Sequence, residues 1–475
     1  MPDFFLFINE ILWESVMIYL LIGAGIWFTV RSGFIQFRYL RHVGKSLKNS
    51  VTPQPGGLTS FQALCTSLAA RAGNGNLMGV ALAISAGGPG AVFWMWVSAL
   101  LGMATTFAEC ALAQLYKERD EHNQFRGGPA WYITRGLGMR WLGIIFALFL
   151  LVYGLIFNTV QSNTVAHALR YAWEIPELLS GVLLAAATLL AIRLGIRGVA
   201  RIMQWLVPAM MLVWVLASLL IGAWHVEQLP GIVNAIFRGA FGWHEAAAGA
   251  LGYTVSQALT SGFQRGILSN EAGMGTTPNA AAAAASWPPH PAAQGIVQMI
   301  GVFTDTLIVC TASALIVLLA NASSPHTPLD GIELVQQAMV SLTGSWAAGF
   351  VAVITALFAF TTIVVNYIYA ENNLIFLRLH SRRNLWLMRG GTLLMVITGS
   401  LLSLPMVWQM ADVMMALIAI VNLSAILLLS PVVRIIANDY LRQRRLGIRP
   451  VFNPQRYPEI QRQLAPGAWD NLPDR

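Results

Sequence analysis

Charged residues are scarce in this sequence: Asp, Glu, Lys and Arg make up only 11% of its 475 residues. Soluble domains carry about 25% charged residues, so an ordinary soluble protein is excluded. No polar stretch is long enough for a separate soluble domain, whereas 56% of the residues are hydrophobic and the mean hydropathy is +0.62. The composition therefore predicts an all-α polytopic membrane protein.

Cysteine is also rare, and a dense basic tract is missing. Cys65, Cys110 and Cys310 all lie in apolar stretches, which excludes a disulfide framework and predicts small core residues. The formal net charge is +8, but the basic residues are spread among many connections. We therefore expect no nucleic acid among the partners.

Enzyme signatures are missing as well. His244 and Glu245 are followed by alanines and lack the second histidine of an HExxH zinc motif. The glycines between Gly73 and Gly79 are spaced one residue off the dinucleotide-binding pattern, and no strand precedes them. Neither a G-x-S-x-G sequence nor a P-loop is present. We expect no enzymatic activity and no cofactor, while a passive channel stays open as an alternative.

The sequence does have a series of long apolar blocks with short connections. A hydrocarbon core of about 30 Å takes roughly 20 helical residues to cross. Eleven blocks are predicted to do so. They cover residues 11–30, 60–85, 90–116, 141–163, 177–194, 201–223, 247–268, 294–320, 346–370, 386–404 and 408–433.

Lys and Arg are distributed unevenly between alternate connections. Cytoplasmic loops carry the excess of both residues, and here one side takes nearly all of them while the other has only Arg170 and Arg238. The pattern predicts eleven transmembrane helices with the N-terminus out and the C-terminus in. The first residues include no basic region and no cleavage site, so we expect no removable signal peptide.

These features divide the chain into three parts. Residues 1–58 hold an extra N-terminal transmembrane helix and a segment that is either an interfacial helix or an irregular loop. Residues 59–433 form a ten-helix core with halves at about 59–223 and 247–433. Residues 434–475 form a basic cytoplasmic tail, which either anchors on anionic lipid of the bilayer or binds a partner.

One predicted span is interrupted at mid-depth by two glycines and two asparagines, Gly73 to Asn76. These residues are poor helix formers, and an asparagine in hydrocarbon costs free energy unless its amide is hydrogen-bonded. An unwound segment that lines a polar cavity resolves both problems. Its half-helix ends can then hold an anionic group and a cation. The alternative is a glycine-rich packing face.

A second interruption is predicted between Gly252 and Gly266, where polar residues recur every three or four positions. They are Tyr253, Ser256, Gln257, Thr260, Ser261 and Gln264. The alternative is that these side chains hydrogen-bond between continuous helices. The two interrupted spans open successive groups of five helices with opposite orientation, which indicates an inverted repeat with a binding site at its interface.

Ionisable residues inside the predicted spans are candidates for coupling or gating. The acids are Glu109, Asp305 and Asp412, and the basic residues that can pair with them are Arg71 and Arg265. Such pairs serve as structural ties or gates, whereas a carboxylate that gains and loses a proton would support proton coupling. Glu271 lies in a glycine-bounded turn, where it can cap a short helix or take part in an inner gate.

Four stretches of the sequence resemble the alanine or glycine:cation symporter family, the sodium/alanine symporters. They are SFQAL (60–64) with GN (75–76), GGPGAVFWMW (87–96), GGPAWYI (127–133) and SNEAGMG (269–275). The resemblance implies a LeuT-type 5+5 inverted repeat with two discontinuous helices. It also implies symport of a small neutral amino acid, alanine or glycine, with sodium as the coupling ion. Asn74 departs from the Thr or Ser usual in the family.

The resemblance also implies where the ligands bind. Sodium would take carbonyl oxygens of Ala70 and Gly73 and the hydroxyls of Thr361 and Thr362, although such threonines commonly bond their own backbone. The substrate carboxylate would meet the amides around Asn74, Gly75 and Asn76. The remaining substrate candidates are Thr260, Ser261 and Gly262 for the ammonium group, Phe263 as a wall, and Gln161, Asn163 and Trp408 as weaker candidates.

Overall fold

The computed structural model describes residues 2–40, 43–54, 56–242, 251–323 and 331–469. These parts of the chain are helical apart from loops and one antiparallel hairpin, which pairs β1 (Glu118–Arg119) with β2 (Phe125–Arg126). The α-helices are α1 (Pro2–Glu10), α2 (Ile18–Arg31), α3 (Ile35–Leu40), α4 (Val43–Ser50), α5 (Ser60–Arg71), α6 (Met78–Gly87), α7 (Gly90–Leu115), α8 (Pro129–Gly136), α9 (Arg140–Trp173), α10 (Glu177–Ile192), α11 (Gly195–Trp224), α12 (Leu229–Phe241), α13 (Leu251–Asn270), α14 (Thr277–Ala282), α15 (Pro291–Val302), α16 (Thr311–Ser323), α17 (Ile332–Thr343), α18 (Trp346–Phe376), α19 (Arg382–Gly399), α20 (Leu404–Leu428), α21 (Ser430–Arg445) and α22 (Pro458–Gln461).

Two wider π-helical segments keep neighbouring α-helices continuous. Ile11–Met17 joins α1 to α2, and Phe303–Cys310 joins α15 to α16. A π-helical turn is rare and is often found at a functional site. The second segment contains Asp305, one of the acids that the sequence marks as a functional candidate. Shorter 3₁₀ turns cover Asn74–Asn76, Val226–Gln228 and Pro454–Arg456.

Within the described residues, seven helices are long and apolar enough to cross a membrane. They are Phe7–Arg31, Gly90–Leu115, Arg140–Trp173, Gly195–Trp224, Pro291–Ala320, Trp346–Phe376 and Pro405–Leu428. The prediction of an all-α polytopic membrane protein is confirmed. Each of these helices overlaps one of the eleven predicted spans, and α10 is a shorter apolar helix over another.

The described helices form two series of the same order. The first runs from the interrupted pair α5 and α6 through long α7, short α8, long α9, short α10 and long α11. The second runs from α13 and α14 through α15 and α16, short α17, long α18, α19 and long α20. Helix α9 packs against α18 and α10 against α19, so corresponding members of the two series are in contact.

The first predicted interruption is present, and the second lies elsewhere. Helix α13 is continuous through residues 252–266, so the prediction of a break there was wrong. Its glycines serve close packing: a Cβ on Gly262 would lie 2.6 Å from Ala91 O, and one on Gly266 would lie 2.8 Å from Ser98 Oγ. Small residues that let two helices approach are common in membranes. Residues 247–250 of this predicted span lie outside the described residues.

The break in the second series falls instead between Asn270 and Thr277, where α13 ends and α14 begins. Gly273 and Gly275 have φ of +83° and +82°, a conformation that favours glycine. These residues belong to the stretch that carries the family resemblance. The glycines are thus visible in the sequence, but they follow the apolar block, where a turn after the helix is the local prediction.

Both ends of the chain pack against the core in the described residues. The segment after α2 forms α3 and α4, two short helices, and not an irregular loop. At the other end, α20 stops at Leu428, before the predicted limit of 433. The predicted tail is folded up to Trp469, whose Nε1 donates a hydrogen bond to Leu115 O at 3.0 Å. Tyr116 OH similarly donates to Gln463 Oε1 at 2.7 Å.

Candidate functional site

The first interruption brings backbone into contact with two other long helices. Helix α5 ends at Arg71, and α6 begins at Met78 after the buried turn Asn74–Asn76. Gly73 is needed for the close approach: a Cβ there would lie 2.7 Å from Thr362 Oγ1 on α18 and 3.1 Å from Gln161 Nε2 on α9. The unwound segment therefore sits where α5, α9 and α18 meet.

Asn74 and Gln161 form a buried pair of amides at this point. The Asn74 backbone N–H donates to Gln161 Oε1 at 3.1 Å, and Asn74 Nδ2 donates to Gln161 O at 3.2 Å. Asn74 Oδ1 and Gln161 Nε2 are buried and have no partner among the described residues. Buried polar atoms normally have partners, so one free acceptor and one free donor mark a place for a polar ligand.

Asn76 belongs to a second polar cluster, which ties the unwound segment to α13 and to the π-helical turn. Asn76 Nδ2 donates to Asp305 Oδ1 at 2.5 Å. Ser269 Oγ lies 2.9 Å from Asn76 Oδ1 and 2.5 Å from Asp305 Oδ2. All three side chains are buried. The sequence named Asp305 as a candidate for coupling or gating but did not predict its contact with Asn76, and it did not single out Ser269.

Thr362 supplies a hydroxyl next to carbonyls at the end of α5. Its Oγ1 lies 2.9 Å from Ala69 O, 3.5 Å from Ala70 O and 2.9 Å from Phe358 O of its own helix. Carbonyls in the last turn of a helix lack intrahelical partners, so Ala69 O and Ala70 O accept contacts from outside α5, here from the Thr362 hydroxyl. The predicted ligands Ala70, Gly73 and Thr362 therefore lie together.

The neighbouring Thr361 does not share this contact. Its Oγ1 donates to Phe358 O at 2.9 Å, the local backbone bond that was the alternative for both threonines. Ala69, which the sequence did not single out, contacts Thr362 more closely than Ala70 does. Within the described residues, no group of three or more His, Cys, Asp or Glu side chains is placed to hold a metal ion.

Three of the substrate candidates on α13 lie away from the unwound segment. Ser261 Cβ would be 2.9 Å from a Cβ on Gly87, Gly262 packs on α7, and the Phe263 ring is 6.3 Å from that of Trp94. Leu268, by contrast, lies 3.5 Å from a Cβ placed on Gly75. Because α13 is continuous, Leu268 lies about 10 Å farther along the helix axis than Ser261, which was predicted to contact the unwound segment.

Thr260 and Trp408 line a cavity of about 430 Å³ beside the start of α6. Its other lining residues are Asn9, Glu10, Trp13, Glu14, Met78, Leu82, Gln264, Arg265, Pro405, Gln409 and Asp412. Trp408 is buried, and its Nε1 has no partner among the described residues. These two candidates therefore border an approach to Met78, the first residue after the interruption.

Arg265 and Asp412 form a bidentate ion pair in the wall of that cavity. Arg265 Nη1 and Nη2 lie 3.0 and 3.1 Å from the two carboxylate oxygens, and the guanidinium stacks 5.1 Å from the Trp408 ring centre. Their side chains are only 15% and 7% exposed. Parallel N–H···O bonds of this kind are both strong and directional. The sequence named both residues but did not assign the pair.

The sequence predicts an arginine as the partner of Glu109, but in the structure its carboxylate contacts backbone amides. Its carboxylate accepts from the N–H groups of Gly273 and Gly275, both at 3.2 Å, and from Asn422 Nδ2 at 2.8 Å. Glu109, which lies on α7, thus fixes the backbone of the second interruption by these hydrogen bonds. Glu271 Oε2 accepts from Thr276 Oγ1 at 2.7 Å, and Glu271 Oε1 has no partner among the described residues.

Arg71 is buried among neutral acceptors in the described structure. Its Nε and Nη2 donate to Thr277 Oγ1 at 3.2 and 2.9 Å, and its Nη1 donates to Gln298 O at 3.2 Å. It therefore joins the end of α5 to α14 and α15, between the two interruptions. Asn163 serves a local purpose, since its Nδ2 donates to Gly399 O and Leu402 O at the end of α19.

Comparisons with known proteins give a solved structure of similar fold and relatives that are named as transporters. A mutant of the manganese transporter of Eremococcus coleocola has a similar structure, with a TM-score of 0.51 at 15% identity over 85% of this chain and 83% of that one. At this identity the likeness shows the fold alone. The uncharacterized transporter YaaJ of Escherichia coli is 66% identical over 99% of both chains. The probable sodium/glutamine symporter GlnT of Bacillus subtilis is 43% identical over 94% of this chain and 91% of its own.

The family model described as the sodium:alanine symporter family matches residues 1–454, nearly the whole chain. Its members are transporters and not enzymes, which confirms the expectation that this protein has no enzymatic activity. They have several membrane-spanning helices in the plasma membrane. The chain, a multi-pass plasma-membrane transporter, belongs to the sodium:alanine symporter family.

Proposed function

We propose that this protein couples the entry of sodium to the uptake of a small neutral amino acid, alanine or glycine, by alternating access. The observation that carries the proposal is the unwound segment, which has free polar atoms on Asn74 and Gln161 next to the Thr362 hydroxyl and the Ala69 and Ala70 carbonyls. An amino acid and a cation need these two kinds of group side by side.

The substrate would lie against Asn74, Gly75 and Asn76. Its carboxylate faces the positive end of α6 and the free Gln161 Nε2, and its ammonium group faces the free Asn74 Oδ1. Leu268, 3.5 Å from a Cβ on Gly75, leaves little room and supports a small side chain. Asn74 replaces the family's usual Thr or Ser, so the amino acid itself is the part that uptake measurements must decide.

Sodium would bind where α5 meets α18. The ligands are the carbonyls of Ala69, Ala70 and Gly73 with the Thr362 hydroxyl, a neutral oxygen set that needs no carboxylate. The sequence predicts Thr361 in the same set, but in the described structure only the Thr362 hydroxyl contacts the α5 carbonyls, so Thr361 has a lesser role. Hard cations prefer oxygen ligands of this type.

The proposed architecture is eleven transmembrane helices with the N-terminus out, the C-terminus in and a LeuT-type inverted repeat. It is supported by the two helix series of the same order and by the charge alternation. In this orientation the cavity near Trp408 opens outward, so the pair Arg265–Asp412 acts as an outer gate that opens and closes with transport. Glu271 and Arg71 lie toward the opposite side.

Proton coupling of the same transport is the second candidate, and Asp305 favours it. This buried carboxylate lies against Asn76 and Ser269, so a change in its protonation would act directly on the unwound segment. The Asp305→Asn variant separates the two candidates. It should abolish proton-driven uptake, whereas sodium-driven uptake should persist because Asp305 is not among the proposed sodium ligands.

Uptake into liposomes tests the proposal. Purified protein is reconstituted, and labelled alanine, glycine and glutamine are offered with an inward sodium gradient, with a proton gradient, or with none. Accumulation above equilibrium only with the sodium gradient supports symport. Equal uptake with no gradient would indicate a channel, and no uptake of any small amino acid would refute the proposal.

A further inference from the structure

Five arginines converge on a cavity that the transport site does not use. This cavity, of about 870 Å³, lies between the end of α2 and helix α21. The arginines that line it are Arg31, Arg38, Arg434, Arg442 and Arg445, and no acidic residue is among its lining residues. We refer to this set as the arginine cavity.

The sequence positions explain why the arginines meet. Arg434, Arg442 and Arg445 recur at helical spacing and share one face of α21, while Val433 and Ala437 are buried on another. This face is therefore turned away from the core and toward the end of α2.

A tight turn adds the other two arginines. Arg31 is the last residue of α2, and Gly33, with φ of +68°, reverses the chain directly after it. A Cβ on Gly33 would lie 3.2 Å from Arg38 Nη1, so the Arg38 guanidinium folds back over the turn. Glycine adopts this left-handed conformation without strain and leaves space for that side chain.

The charge of the cavity is largely uncompensated. Arg442 Nη2 contacts Asp439 Oδ1 at 2.9 Å, but this buried carboxylate also accepts from Gln443 Nε2 and contacts His290. No ion pair joins the other four arginines to a described acid. The excess of basic residues in cytoplasmic connections explains their number, but it does not require them to meet in one cavity. Their convergence therefore points to an anionic ligand.

We propose that the arginine cavity binds the phosphate headgroup of an anionic phospholipid of the cytoplasmic leaflet. The location rests on the orientation given under the proposed function. Guanidinium groups match phosphate oxygens in a bidentate manner. The apolar residues beside the cavity distinguish a lipid from a free phosphate: Trp27 and Val30 are 42% and 59% exposed on α2, and Leu446 is 69% exposed at the end of α21. These side chains offer an apolar surface for the acyl chains of a lipid, whereas a soluble anion would need no such surface.

Lipid binding to the full-length protein tests the proposal. Purified protein in detergent is titrated with phosphatidylglycerol or with phosphatidylcholine of the same acyl chains, and bound lipid is counted by native mass spectrometry. The variant Arg38→Gln/Arg434→Gln/Arg445→Gln should bind phosphatidylglycerol on the order of tenfold more weakly, since each basic residue contributes to the attraction for anionic lipid.

The matched control is Arg378→Gln/Arg382→Gln/Arg383→Gln, which removes the same charge from exposed residues elsewhere. It should keep the binding of the unmodified protein. Equal weakening in both variants would overturn the proposal, and so would displacement of the lipid by inorganic phosphate, which would indicate a site for free anions.

A measurement on the unmodified protein guards against a variant that fails to fold. The unmodified protein should retain phosphatidylglycerol in clear preference to phosphatidylcholine, and equal retention of the two would overturn the proposal. Neither sodium nor an amino acid is present in these titrations. A negative result therefore refutes the lipid site without bearing on the proposed transport.

Discussion

The two helix interruptions of this transporter differ in how their polar groups are satisfied. In the first, the Asn74 carboxamide and Gln161 leave one acceptor and one donor without described partners. In the second, the amides of Gly273 and Gly275 are taken by the carboxylate of Glu109. The second break thus has its backbone amides bonded by a side chain of α7, although Asn270 Nδ2 and Glu271 Oε1 there also lack described partners, whereas the first break leaves free polar atoms beside its unwound backbone.

This difference indicates separate tasks for the two breaks. A carboxylate that receives four hydrogen bonds within the protein, from Thr106 Oγ1, Asn422 Nδ2 and the two glycine amides, fixes the connection between α13 and α14. Unpartnered buried polar atoms are costly, and they persist where a ligand completes them. The distinction between the two breaks would not hold if substitutions at both had the same effect on stability and on uptake.

The largest effect is expected on stability when Glu109 is removed. Glu109→Ala leaves the two glycine amides and Asn422 Nδ2 without this acceptor, and bonds to a charged group contribute about 1.5–3 kcal/mol each. We expect a loss of at least about 3 kcal/mol, measured as a lower unfolding temperature of the purified protein. Glu109→Gln keeps an acceptor and should lose clearly less. Unchanged stability in Glu109→Ala would contradict the assigned role.

A smaller effect, on ion dependence, is expected at the first break. Thr362→Ala removes the hydroxyl that contacts the Ala69 and Ala70 carbonyls, so the sodium concentration for half-maximal uptake should rise roughly tenfold, which corresponds to about 1.4 kcal/mol. Thr361→Ala is the matched control, because both hydroxyls bond Phe358 O of their own helix but in the described structure only that of Thr362 contacts the α5 carbonyls. Uptake titrated with sodium measures both variants. Equal shifts would refute the distinction between the two threonines.

Substrate preference should change when Asn74 is replaced. Asn74→Ser removes the bond to Gln161 O and the free Oδ1, and one neutral hydrogen bond is worth about 1 kcal/mol. We therefore expect the preference among alanine, glycine and glutamine to shift by about fivefold, measured by competition with labelled alanine. Stability should stay near that of the unmodified protein. The same ranking and the same affinities in this variant would place the substrate elsewhere.

The smallest effect is expected from Glu271→Gln at the second break. The amide oxygen can still accept from Thr276 Oγ1, so stability should change by less than about 1 kcal/mol. Uptake should fall only slightly if this break is structural. Measurements of uptake and unfolding on the same preparation separate the two effects. A complete loss of uptake with normal stability would give Glu271 a direct part in coupling or gating.

The two breaks were not equally visible in the sequence. Gly73 to Asn76 combine poor helix formers with polar amides inside an apolar block, so the interruption followed from local composition. The polar face of residues 252–266 gave a false signal, because a membrane helix can carry Ser, Thr and Gln where it packs on other helices. The true break needs Gly273 and Gly275, which lie beyond the apolar block.

The sequence by itself determined the properties that depend on local composition: the apolar spans, the alternation of basic connections, the first interruption and the family. The tertiary structure decided which groups meet. Asn74 and Gln161 are 87 positions apart, Arg265 and Asp412 are 147 apart, and Glu109 and Gly273 are 164 apart. No local rule links such distant residues, because their contact depends on how the long helices pack. That packing turned an interrupted helix into a site with free polar groups.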